Sequence, residues 1–159
     1  MEHTYIYDTP IGKIRIAEDG NAITEIDLLS LEFPVSTIEM KETGLIRKAY
    51  EELMEYLNGR RKEFSVPLNP KGTDFQRNVW NVLQTIPYGE TRSYGQVAVQ
   101  AGNPKASRAV GMANNRNPIL IMIPCHRVIG ADGSLTGYGG GLDLKEHLLN
   151  LEREGVRRE

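Results

Sequence analysis

Three helix starts in the second half of the chain constrain its fold more than any other feature. Thr73-Asp74-Phe75-Gln76 and Ser93-Tyr94-Gly95-Gln96 each place a hydroxyl three residues before a glutamine. At that spacing the hydroxyl accepts from the N3 backbone N–H, and the glutamine side chain reaches back to the N-cap N–H. Asn103-Pro104 adds a third start, a good N-cap followed by proline at N1. The first start predicts a helix that turns Phe75, Val79, Trp80 and Leu83 inward and stops before Pro87-Tyr88-Gly89. The second predicts a short helix to about Ala101, and the third a helix from about Lys105 to Asn115. Joined through Gly102-Asn103, the last two read as a helix-turn-helix.

The first half has a different pattern. Tyr5 to Tyr7, Ile14 to Ile16 and Ile23 to Leu28 are short strands separated by Pro10-Ile11-Gly12 and Asp19-Gly20-Asn21. Thr43 to Leu57 is helical, with Leu45, Ala49, Leu53 and Leu57 at helical spacing and Gly59 as a stop. Pro70-Lys71-Gly72 is the boundary. The expected fold is therefore mixed α/β (α+β): a sheet-and-helix domain over 1–70, then a mostly helical domain over 71–159. In the latter, the apolar run Ile119 to Ile123 reads as a buried strand ended by Pro124, and Gly130 to Gly133 as a turn. Thr136 to Gly141 is a glycine-rich loop carrying Tyr138, but no Gly-Lys-Ser/Thr follows, which excludes a nucleotide P-loop. Asp143 opens the last helix, with Leu144, Leu148 and Leu151 as its buried stripe.

Charge is unevenly spread. The net charge is −2, yet residues 1–70 hold 8 Lys/Arg against 13 Asp/Glu, and residues 71–159 hold 11 against 8. Between Thr91 and Ala131 there is no acidic residue, and Arg92, Lys105, Arg108, Arg116 and Arg127 are all basic. Such a stretch is the footprint of a phosphate-bearing partner, or else a solvated face. No apolar run approaches the roughly 20 residues that span a bilayer. The first residues lack the pattern of an export signal, and the chain has one cysteine. A cytoplasmic monomer without membrane contact is expected. His3, His126 and His147 are scattered without ligand spacing, so neither a metal nor another cofactor is expected.

The single cysteine, Cys125, lies in Pro124-Cys125-His126-Arg127-Val128. Nearby positive charge or a base makes a thiol a nucleophile; an inert core cysteine is the alternative. His126 is adjacent, but neighbours in extended chain face opposite ways, so the pair needs a turn or an intervening water. Glu152 could orient His126; otherwise it is a surface carboxylate near Lys145 or Arg153. On the third helix, Ala106, Ala109, Val110 and Ala113 share an inner face. Ser107, Arg108, Gly111 and Asn115 share an outer one, smooth apart from one long cation. Tyr94 at N1 of its helix lies beside the free N–H groups that attract phosphate, and the helix start at Asn103 is a second such place.

With these residues in view, the chain closely resembles the O6-alkylguanine-DNA alkyltransferases, the methylated-DNA–protein-cysteine methyltransferases. The resemblance runs through Pro124 to Val128, Asn117-Pro118, Gly137-Tyr138, Phe75-Gln76, Tyr94-Gly95, Gly102 to Gly111 and Lys145-Glu146. It covers nearly all of 73–153. The first lobe matches mainly in architecture, a ribonuclease-H-like sheet, and the second resembles a winged helix. The resemblance implies single, irreversible transfer of an alkyl group from O6-alkylguanine, and from O4-alkylthymine, in double-stranded DNA to Cys125. The base would be flipped through the minor groove. His126 would take the thiol proton through a water, Glu152 would orient His126, and Asn117 would join the helix-turn-helix to the active-site segment. Arg108 would fill the gap left by the base. Tyr94, Gly95, Asn103, Ser107, Gly111 and Ala131 would face DNA with it. Val128, Tyr138 and Gly139 would form the base pocket. A non-catalytic alkyltransferase-like protein would lack the cysteine. A cysteine hydrolase would have no use for the helix-turn-helix, and a plain helix-turn-helix regulator would leave Cys125 inert.

Overall fold

The computed structural model describes residues 2–30, 39–138 and 140–158. It is a mixed α/β fold in two compact units: Met1–Lys71 with Pro118–Leu120, and Gly72–Asn117 with Ile121–Glu159.

In the first unit, strands β1 (His3–Thr9), β2 (Gly12–Glu18) and β3 (Ile23–Leu28) form an antiparallel sheet in that order. The β1–β2 turn works because Gly12 adopts φ +120° while Thr9 Oγ1 donates to its carbonyl. At the β2–β3 turn the Asp19 carboxylate accepts from the backbone N–H groups of Asn21 and Ala22. Register sets Tyr7 opposite Ile14 and Ile16 opposite Ile26, and these four side chains are buried. Helix α1 (Gly44–Leu57) starts as expected, with Thr43 capping the N–H of Ile46. Its buried face is Ile46, Ala49, Leu53 and Tyr56, one position round from the leucine row read in the sequence.

In the second unit both capping boxes are present. Thr73 and Gln76 close the start of α2 (Asp74–Leu83), and Ser93 and Gln96 that of α3 (Tyr94–Gln100). The third start is corrected. Helix α4 is Ser107–Asn115, begins after Ala106 and has no side-chain cap. Asn103 instead closes a turn, its carbonyl accepting from the Ala106 N–H, so the chain is not yet helical at Lys105. The Trp80 indole N–H donates to Ala113 O at 2.9 Å, locking α2 to α4. Two-residue strands β4 (Arg92–Ser93) and β5 (Val128–Ile129) pair in parallel, which no sequence signal predicted.

The run Ile119 to Ile123 is buried throughout, but it is not a strand. Only Ile119 makes a bridge, to Ile26, and Leu120 to Met122 form a turn in which Ile121 adopts φ +71°. A β-branched residue rarely takes that conformation. Burial supplied the apolar pattern without the extended backbone. The last helix, α5 (Leu142–Arg157), buries Leu148 of the predicted row together with Lys145, Leu149 and Glu152, while Leu144 and Leu151 are only half-buried. Two charged residues on a buried stripe mark the functional site. Among the described residues, no helix is long and apolar enough to cross a membrane.

Candidate functional site: a buried thiol beside a charged triad

Cys125 opens a 3-10 turn, Cys125–Arg127, that follows Pro124. The turn is the feature the adjacent Cys-His pair required, because it releases the two side chains from opposite faces. The sulfur is held by Asn117, whose Nδ2 donates to Ile123 O at 2.8 Å and to Sγ at 3.2 Å. Asn114 Nδ2 donates to the Cys125 carbonyl at 3.3 Å. Behind the turn, the ammonium of Lys145 donates to Val128 O at 2.6 Å and to Thr136 O at 2.8 Å.

His126 is fully buried, and its Nε2 lies 2.6 Å from Glu152 Oε2. A carboxylate only accepts, so Nε2 carries the hydrogen and Nδ1 is the basic nitrogen. Glu152 is also buried and takes two further bonds from Arg127, Nε to Oε1 at 2.8 Å and Nη2 to Oε2 at 3.0 Å. The Gly89 N–H adds a bond to Oε1 at 3.1 Å. Arg127 is itself anchored, with Nη1 donating to Ile86 O at 2.7 Å and the guanidinium lying 5.7 Å from the Tyr88 ring centre. Burial alone would raise the Glu152 pKa. The bonds and charges of His126 and Arg127 outweigh it and bring the carboxyl down to about 2. Burial, supported by Arg127 and Lys145, lowers the His126 pKa against the pull of Glu152, so the imidazole is neutral at pH 7.

Of the two routes to a nucleophile, nearby positive charge or a base, the thiol's surroundings favour the base. Cys125 is only 2% exposed, and burial pushes its pKa up to about 11, with the Asn117 bond and the Lys145 charge opposing that rise. At rest it is a protonated thiol, and its reactivity depends on a base rather than on a standing thiolate. A correction concerns Arg127. It is buried against Glu152 and does not belong to the exposed cations of the 91–131 stretch.

The remaining candidates fall into two groups. Val128 and Tyr138 are buried beside the turn. The Tyr138 hydroxyl makes no hydrogen bond among the described residues. Its pKa is raised well above the usual value by burial and then by the neighbouring Cys125 and Glu152. Gly139 lies outside the described residues. On the helix-turn-helix, Tyr94, Gly95, Ser107 and Gly111 are half-buried, while Asn103 and Arg108 are exposed, as is Ala131 in its turn. A Cβ at Gly111 would meet the Tyr94 ring in ordinary contact at 3.8 Å, so the α3–α4 packing has room for an alanine there. The Tyr94 hydroxyl donates to Thr136 O at 3.2 Å and accepts from Thr136 Oγ1 at 2.9 Å. Through Thr136, α3 meets the loop that Lys145 also holds.

The pairing of Arg127 with Glu152, the carbonyl bonds of Lys145 and the part played by Asn114 are not read from the sequence. Lys145 and Glu152 are seven residues apart and share a helix face with Leu148 and Leu149, which is a usable signal. Nothing in the pattern marks Asn114.

Comparison with known proteins gives one answer along the chain. Residues 3–70 match the ribonuclease-like domain of 6-O-methylguanine DNA methyltransferase, and residues 74–154 match its DNA binding domain. The chain belongs to the 6-O-methylguanine DNA methyltransferase family. It is 53% identical over 151 residues to the methylated-DNA–protein-cysteine methyltransferase of Methanosarcina acetivorans, covering 92% of this chain and 96% of that protein. It is 48% identical over 159 residues to the constitutive enzyme of Bacillus subtilis, covering 96% of each. The crystal structure of Mycobacterium tuberculosis OGT in complex with DNA is similar at TM-score 0.87 and 49% identity, over 96% of this chain and 94% of that one.

Proposed function

We propose that this protein repairs double-stranded DNA by moving an alkyl group from O6-alkylguanine, and from O4-alkylthymine, onto Cys125, once per molecule. The observation that carries the proposal is the arrangement of a buried thiol, held by Asn117, next to a histidine whose Nε2–H is fixed on Glu152. The sulfur attacks the alkyl carbon. A carbon–sulfur bond forms as the carbon–oxygen bond breaks, and the base leaves with the electron pair. The thiol proton passes through a water to His126 Nδ1 and is finally taken up by the departing base. Glu152 stabilises the transient imidazolium, and Arg127 keeps Glu152 ionised. The product is a thioether, and no group in the site is suited to cleaving it, so turnover stops after one event.

A base within the duplex cannot reach a thiol buried this deeply. It must be turned out of the stack, at a cost of a few kcal/mol. We assign that task to the α4 face, with Arg108 filling the vacated place and Tyr94, Gly95, Asn103, Ser107, Gly111 and Ala131 against the backbone and groove. Tyr138, Val128 and Gly139 receive the base, and Asn117 links α4 to the thiol. Residues 1–70 then act as the supporting domain and 71–159 as the DNA-binding and alkyl-acceptor domain, in a cytoplasmic monomer.

Arg108→Ala separates the steps. It is expected to slow transfer from methylated duplex at least tenfold and to leave transfer from a free O6-alkylguanine base unchanged, as read by single-turnover kinetics. Equal losses on both substrates would remove Arg108 from the extrusion step.

A further inference from the structure

A groove between α2 and α4 belongs to none of the residues assigned above. Its volume is about 380 Å³, and it is lined by residues 73, 75 and 76 on the α2 side and by Ala109, Met112, Ala113 and Arg116 on the α4 side. Around the α4 axis, Met112 lies about 40° and Arg116 about 80° from Arg108, on the side away from Gly111. The groove therefore continues the proposed DNA-facing surface sideways. Met112 is 58% exposed, a large apolar side chain left in water on a helix next to that face. Arg116 is exposed and, like Arg108, forms no salt bridge among the described residues. No acidic residue lies in 91–131, and Asp74, at the start of α2, is the nearest one in sequence to the groove's other wall.

We propose that this groove holds the backbone of a DNA strand beside the lesion. Deoxyribose rings rest on Met112, Phe75 and Ala109, and Arg116 neutralises one phosphate. The occupant follows from charge and shape: an exposed cation among apolar lining side chains fits a sugar–phosphate chain. Arg116 thereby binds the duplex without touching the reacting atoms. The inference rests on the DNA-facing assignment of α4.

The test is binding of the full-length protein to an undamaged duplex, followed by fluorescence anisotropy across a salt series. Neutralising one phosphate contributes about −0.9 to the slope of log K against log salt. Arg116→Ala should make that slope shallower by about one such contact. It should weaken binding several-fold whatever the sequence, and leave transfer from the free alkylated base unchanged. Arg116→Lys should restore the slope, and Met112→Glu should weaken binding at least tenfold. An unchanged slope in Arg116→Ala overturns the inference. A loss of cooperativity without a change of slope also overturns it, because the occupant would then be a second copy of the chain. Arg108→Ala, run alongside, separates the two levels. If Arg108→Ala impairs duplex repair and Arg116→Ala does nothing, only the groove is refuted; if neither matters, the reading of α4 itself fails.

Discussion

Arg127→Ala is expected to destabilise the protein by about 3–5 kcal/mol, the largest stability effect anticipated from any single change in the site. The reason is what remains after the substitution. Glu152 would stay buried and charged after losing both of its guanidinium bonds. The Ile86 carbonyl would also lose its donor. The loss should appear as a lower urea midpoint at constant m-value and as a melting temperature lower by on the order of 10 °C. A double-mutant cycle identifies the cause. With Glu152→Gln already in place the charge is gone, so adding Arg127→Ala should cost markedly less than it does alone. Additive losses would mean that Arg127 contributes packing rather than charge compensation. The acid limb follows the same logic. Glu152 has its pKa lowered on folding, so its contribution is complete above the ordinary carboxylate range and is lost as pH falls towards about 2. His126, held neutral by burial, weakens the fold once pH drops below its unfolded pKa, near 6.5.

His126→Gln is expected to slow transfer from methylated duplex by about 10²–10⁴-fold at pH 7. With a thiol pKa of about 11, only about one molecule in ten thousand carries a thiolate at neutral pH. The parent protein avoids that limit by passing the proton to a neutral imidazole. Its rate should be level through neutral pH and fall in acid as the imidazole charges. The variant has only the pre-formed thiolate to use, so its rate should climb by about tenfold per pH unit towards pH 10. Single-turnover rates from about pH 4 to pH 10 read both profiles. A variant with the same pH profile as the parent would show that His126 does not handle the proton.

The sequence carried the local determinants well. Two capping boxes define α2 and α3 because each is a closed exchange of hydrogen bonds within four residues, independent of tertiary context. The Cys-His pair and Asn117 stand in one short segment, and Glu152 lies on a helix whose period is plain. Other features depend on packing. Ile119 to Ile123 had a strand's composition, but the left-handed turn at Ile121 is set by surroundings that periodicity does not record. Asn103 had the right chemistry for a cap, yet the chain uses its carbonyl in a turn and starts α4 at Ser107. The buried stripe of α5 mixes leucines with Lys145 and Glu152, which a hydrophobic pattern discounts. Arg127 was legible as a motif residue and as one cation among five, but not as the partner of Glu152, which is 25 residues away. Whether charge or a base activates the thiol stays open in the sequence for a related reason: the depth of burial that decides it is not visible there.

Intact-protein mass spectrometry after incubation with excess O6-methylguanine duplex tests the central claim most directly. The account predicts a gain of one methyl group, located on Cys125 by peptide mapping, with the reaction stopping at one equivalent and no gain in Cys125→Ser. Repeated turnover without modification would indicate a cysteine hydrolase, and DNA binding with no transfer would indicate a regulator; either result contradicts the account.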